Sequence, residues 1–169
     1  MNIRPATVDD AKDILDIYRY YVENTAVSFE YDTPTIEEFE NRIKKIISKY
    51  PYLVAVIDNK IVGYAYANLL KERAAYRHCV ETTIYLDPGY KKQGIGRELY
   101  NHLTIELGKR NLKNLYAFIA VCDVEDEYLN NDSWHFHERV GFELVGRFHK
   151  CGAKFGNEYD IIWMEKIIK

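Results

Sequence analysis

The chain has 169 residues, of which 47% are apolar and 29% charged, with a net charge of −3. That length predicts one domain, spanning 1–169, with enough apolar residues for a sizeable core. The acidic balance argues against a nucleic-acid binder, leaving room only for a local basic patch, and no apolar run approaches the roughly 20 residues that span a bilayer. Cys79, Cys122 and Cys151 are odd in number, widely spaced and without metal-ligand spacing. Met1–Asp10 lacks the apolar centre of a signal peptide. The expectation is a reduced, cytoplasmic protein with no disulfide framework, no metal, and neither nucleic acid nor membrane as partner.

In chain order, Ile3–Ala6 predicts a first strand. Thr7 with Asp10 starts a helix carrying Ile14, Ile17, Tyr18 and Tyr21 at helical spacing. Asn24–Pro34 reads as loop. Thr35 and Glu38 form a capping box for a second helix with Phe39, Ile43, Ile46 and Ile47 on its apolar face. Pro51 ends it. Tyr52–Ile57 and Ile61–Asn68 predict a hairpin turning at Asp58-Asn59-Lys60. Leu70–Tyr76 is a charged connection, and Cys79–Leu86 a strand stopped by Asp87-Pro88-Gly89. A long helix over Gly94–Arg110 carries Ile95, Leu99, His102/Leu103 and Leu107. Leu115–Val121 predicts a buried strand, Ser133–Val140 a short helix, and Phe142–Phe148 and Tyr159–Ile167 two closing strands. The order β-α-α-β-β-β-α-β-α-β-β predicts a mixed sheet with helices on its faces.

The most informative stretch is Leu86–Gly96, where a strand ends, a glycine-containing loop follows and a helix begins. Free amides at a helix start, aligned with the helix dipole, bind phosphate. Gly94 and Gly96 permit close approach, and Lys91 and Lys92 add positive charge. The stretch is neither a Walker loop nor GxGxxG. The plain alternative is a turn capping a helix, with two solvated lysines.

Lys91-Lys92-Gln93-Gly94-Ile95-Gly96 resembles the acyl-coenzyme A pyrophosphate loop of the GNAT N-acetyltransferases, with Lys91 where Arg or Gln is usual. Ile3–Thr7, Tyr50–Ala55, Gly63–Ala67, Val80–Leu86 and His137–Phe142 look like the phosphinothricin and methionine-sulfoximine acetyltransferase branch. The resemblance covers nearly the whole chain. It implies an α/β (α+β) GNAT fold, with a mixed sheet of about seven strands flanked by about four helices. It also implies acetyl-coenzyme A as co-substrate, a small-molecule amine as acceptor, and a homodimer.

Residue roles follow from the same resemblance. Lys91–Gly96 would hold the diphosphate. Ile84, Tyr85 and Leu86 would present backbone groups to the pantetheine arm, with Asn130 bonding to it. Acetyl transfer needs the amine deprotonated, and Glu81 matches the carboxylate facing the acetyl group. His137, four residues before Gly141-Phe142, stands where a proton donor to the leaving thiolate is found; the alternative is a packing histidine. Tyr76-Arg77-His78 resembles the methionine-sulfoximine type, with Arg77 available to an acceptor carboxylate. Phe29 and Glu30 match the substrate-lining loop, and Lys154 matches a lysine that reaches the site.

Ala153 and Glu158 depart from the branch, and Asp123–Leu129 lengthens a loop with a charge run that reads as solvated. These departures keep other acceptors open: a polyamine, an aminoglycoside or a protein amine. A non-catalytic acyl-coenzyme A sensor is a further alternative, against which Glu81 and His137 argue.

Overall fold

The computed structural model describes residues 1–168. β1 (Asn2–Pro5) leads into a capped turn. There the Asp10 carboxylate accepts from the Thr7 amide at 2.8 Å and from both terminal nitrogens of Arg4 at 2.8 Å. α1 (Ala11–Asn24) follows, running one turn beyond the predicted Tyr21. α2 (Ile36–Ile47) is capped by Thr35, whose hydroxyl accepts from the Glu38 amide at 3.2 Å.

β2 (Tyr52–Ile57) and β3 (Lys60–Leu69) form the expected hairpin, with Asp58 and Asn59 both at positive φ in the turn. β4 (Cys79–Leu86), α3 (Ile95–Lys109), β5 (Asn114–Val121) and α4 (Asp132–Arg139) complete the middle of the chain. β6 (Glu143–Lys154) and β7 (Asn157–Ile167) close it as a hairpin. The predicted Phe142–Phe148 strand is therefore too short. Its continuation is polar and exposed, and two register shifts hide the period-2 pattern.

One seven-stranded sheet has the order β1-β2-β3-β4-β5-β7-β6. α1 and α2 pack on one face against Tyr52, Val54 and Tyr64. α3 packs on the other through Ile95, Leu99, Tyr100, Leu103 and Leu107. Each buried leucine there contributes about 2 kcal/mol. Within the His102/Leu103 pair it is Leu103 that turns inward, whereas His102 is exposed.

β4 and β5 are the sheet's only parallel neighbours among the described residues, and they pair only over Cys79–Glu81 with Asn114–Tyr116. β4 stays on β3 through Leu86, and β5 stays on β7 through Val121. The two halves of the sheet thus part beyond Glu81 and leave a wedge.

Candidate active site

A cleft of about 400 Å³ opens from that wedge. Ile84, Tyr85 and Leu86 of β4 line one wall, and Asn130, Ser133 and Phe136 line the other. Asn131 fixes the far wall. Its side-chain oxygen accepts from the Cys122 amide at 3.2 Å, and its nitrogen donates to the Cys122 carbonyl at 2.9 Å. A side chain thus takes the place of a neighbouring strand at the end of β5. Tyr21 braces the near wall by donating to the Leu86 carbonyl at 2.6 Å.

The floor of the cleft is the start of α3. Gly94 caps the helix at φ +83°, and the first i→i−4 bond is made by the Glu98 amide to the Gly94 carbonyl at 3.2 Å. The amides of Ile95, Gly96 and Arg97 precede that bond and have no helical acceptor. The two glycines serve different ends. Gly94 needs its left-handed backbone, and a Cβ there would meet nothing within 4 Å. At Gly96 a Cβ would stand 3.0 Å from the Phe136 ring, so its bare backbone lets α4 close on α3.

Lys91, Lys92, Gly94, Ile95, Gly96 and Asn130 all line the cleft, whereas the Gln93 amide turns back to the Gly89 carbonyl at 3.4 Å. Lys91 rests its ammonium over the Tyr21 ring, 5.3 Å from the centroid. Arg97 and Arg139 also line the cleft. Sequence reasoning missed both, although Arg97 directly follows the glycine motif. The combination of free amides, a helix dipole, four cationic side chains and an apolar arm suits a long anionic ligand with a narrow tail.

Glu81 sits at the apex of the wedge, the last β4 residue paired to β5. Burial raises its carboxyl above the usual range, opposed by the positive charge of Lys71. The half-buried Tyr66 pairs with Thr83 across β3 and β4, and the carboxylates of Glu81 and Glu30 help to raise its pKa, after burial. The arrangement can hold a proton acceptor of raised basicity at the apex of the wedge, although Glu81 itself is not among the residues lining the cleft.

His137 is buried and is not among the residues lining the cleft. Only 3% of it is exposed. Nδ1 meets the Ser133 carbonyl at 2.7 Å, and Nε2 meets the Tyr100 hydroxyl at 2.9 Å. With Nδ1–H donating to the carbonyl, Nε2 accepts from Tyr100. Burial lowers its pKa to about 4, so the ring is neutral near pH 7. Both ring nitrogens are engaged within the fold, the arrangement that the packing alternative describes.

Lys154 is likewise engaged within the fold. Its ammonium is buried and donates to the carbonyls of Val22, Thr25 and Ser28 at 2.6, 2.8 and 2.7 Å. All three protons are spent on the end of α1 and the loop after it. Phe29, in that loop, lies against Gly152 and stacks on Tyr159 at 6.4 Å. Glu30 accepts from Arg42 at 2.7 Å. Arg77 is exposed in the turn before β4, not among the cleft residues.

The acidic loop is less free than its composition predicts. Asp126 accepts from the amides of Tyr128 and Leu129 at 2.8 Å each and from the Tyr159 hydroxyl at 2.8 Å. Asp123 accepts from Arg147 at 2.6 Å, and Glu125 from the Asn131 amide at 3.0 Å.

Comparison with known proteins gives a consistent picture. The family model described as an acetyltransferase (GNAT) domain matches residues 3–163. A phosphinothricin N-acetyltransferase of Streptomyces coelicolor is 33% identical over 170 residues, covering 98% of this chain and 95% of that protein. An L-methionine sulfoximine/L-methionine sulfone acetyltransferase of Salmonella typhimurium is 28% identical over 98% of this chain and 93% of its own. Among solved structures, a phosphinothricin acetyltransferase from Sinorhizobium meliloti in complex with acetyl-coenzyme A superposes with a TM-score of 0.90. It is 31% identical, and the match covers 99% of this chain and 88% of that one.

Proposed function

Because this chain belongs to the GNAT acetyltransferase family, we propose that it transfers the acetyl group of acetyl-coenzyme A to the amine of a small amino acid or close analogue. The observation that carries this reading is the wedge between β4 and β5, which runs from Glu81 to the free amides of Ile95–Arg97. In this assignment the diphosphate lies on those amides with Lys91, Lys92, Arg97 and Arg139 around it. The pantetheine arm follows Ile84–Leu86, past Asn130.

Glu81 takes the proton of the incoming ammonium, directly or through a water, and its raised basicity suits that task. Backbone groups of β4 left unpaired by the parting of the strands orient the thioester. Arg77, exposed before β4, meets the acceptor carboxylate, and Phe29 and Glu30 bound the acceptor from the α1–α2 loop. His137 and Lys154 hold the walls in place and do not touch the reactants.

We further assign the reaction to the cytoplasm, on a single domain that pairs as a homodimer. Cys79, Cys122 and Cys151, odd in number and widely spaced, suit a reducing compartment. Leu144 and Val145 stand more than half exposed on the edge strand β6.

Thiol release from acetyl-coenzyme A tests the reading against methionine sulfone, methionine sulfoximine, phosphinothricin, spermidine and kanamycin, with mass spectrometry of the product. Acetylation of an amino-acid acceptor is expected. Turnover of spermidine or kanamycin alone would move the acceptor class. Calorimetric binding of coenzyme A without turnover of any amine would identify a sensor and refute the enzyme.

A further inference from the structure

The face of the sheet that carries Glu81 is open beside it, and the opening is aromatic. Glu81 and Tyr116 are in register, so their side chains leave the same face. Alternation along β5 brings Phe118 to that face as well, two residues into the wedge and level with Thr83 of β4. Phe118 is paired to Trp163 on β7, their ring centroids 4.6 Å apart, and Tyr116 meets Trp163 at 6.2 Å. On β6 the row continues to Phe148, half exposed with its ring centroid 6.4 Å from that of Phe118, whereas two other flanks are covered. α1 and α2 bury Tyr64 and enclose Tyr66 and Tyr85, while the loop after α1 covers Ala120 and Ile161 through Ala26, Val27 and Phe29. Phe118 is left 47% exposed, two residues beyond the last β4–β5 pair.

Ring faces reward an apolar or aromatic group and offer nothing to a second anion. The cations nearby are few. Arg42 is engaged by Glu30 and Glu38, and Lys71 acts on Glu81. One acceptor carboxylate can be met by Arg77; a further acidic group on the acceptor side chain would face rings and the carboxylates of Glu81 and Glu30.

We propose that Phe118 and Trp163 form the side-chain subsite for the acceptor, and that the preferred acceptor is a neutral amino acid with an apolar or aromatic side chain. The proposal rests on the acetyltransferase reading above and deepens it by naming the acceptor class. Phe118 sets specificity by contact with the acceptor side chain and takes no part in proton transfer.

The test is steady-state kinetics with acetyl-coenzyme A and four acceptors: L-phenylalanine, L-leucine, methionine sulfone and phosphinothricin. Wild type, Phe118→Ala and Trp163→Phe are compared, with thermal unfolding as a check on folding and calorimetry for coenzyme A. Wild type is expected to prefer phenylalanine and leucine over phosphinothricin by roughly tenfold or more in kcat/KM. Phe118→Ala should lower kcat/KM for those two by about tenfold, through KM, with coenzyme A affinity unchanged. A preference for phosphinothricin, or acceptor KM values that Phe118→Ala leaves alone, would overturn the subsite while leaving the transferase intact. The same holds if Phe118→Ala only dissociates a dimer in sedimentation. No turnover of any amine, with coenzyme A still bound, would instead refute the transferase and the subsite with it.

Discussion

Nε2 of His137 lies 2.9 Å from the Tyr100 hydroxyl, and this contact ties α4 to α3 at the point where β4 and β5 separate. Tyr100 in turn lies 3.2 Å from the Thr82 hydroxyl, which donates to the Tyr116 carbonyl across the two strands at 3.2 Å. The network spans all four elements that shape the wedge. Its polar atoms are buried, so each depends on its partners.

His137 therefore leaves its mark on stability. Its folded pKa of about 4 lies below the ordinary 6.5, so the unfolded chain takes up the proton first. The contribution is fully present above about pH 6.5 and is lost as pH falls toward 4, amounting to on the order of 3 kcal/mol. Urea unfolding at pH 7 and pH 4.5 should show a steeper loss for wild type than for His137→Asn. A limb near pH 6.5 in kcat that disappears in His137→Asn would restore the proton-donor role.

Glu81→Gln should lower kcat by about 100-fold, the usual worth of a positioned base, with coenzyme A affinity unchanged by calorimetry. Because burial raises the Glu81 carboxyl, the acid limb of kcat/KM should fall above the ordinary carboxylate range. Activity rises with pH through that limb. The variant should lack it; an unchanged profile would remove Glu81 from the chemistry.

Lys154→Met removes one ammonium from three carbonyls and leaves them buried without donors. The expected loss is about 3 kcal/mol in denaturant unfolding. The acceptor KM should rise as the α1–α2 loop loosens, while coenzyme A affinity holds. A stable variant with loss confined to kcat would place Lys154 among the reacting groups.

Gly94→Ala forces an L-residue to φ +83°, which costs about 1–2 kcal/mol at the turn. Coenzyme A affinity should weaken about tenfold, read by calorimetry. No change in affinity would show that the helix start does not carry the diphosphate.

The sequence made the order of elements plain because apolar spacing and capping residues are local signals. Thr35 with Glu38, the hairpin at Asp58-Asn59, and the strand–turn–helix at Leu86–Gly96 all form from neighbouring residues. The glycine turn was legible for the same reason. Lys154 was not, since its partners lie 126 to 132 positions away along the chain. The surroundings of His137 depend on Tyr100, 37 positions earlier in the chain, and no local pattern pairs the two. The aromatic row of Tyr116, Phe118 and Trp163 needs the β5–β7 pairing, and two antiparallel strands far apart in sequence do not announce their register.

The hairpin of β6 and β7 grips the α1–α2 loop at three places: Lys154 on its carbonyls, Phe29 seated on bare Gly152, and Tyr31 donating to the Ala153 carbonyl at 2.7 Å. A Cβ at position 152 would stand 1.9 Å from the Phe29 ring. Residues near opposite ends of the polypeptide thus fit each other as a matched pair. Retargeting the enzyme by grafting either segment alone would leave it without its counterpart, whereas exchanging both together preserves the fit.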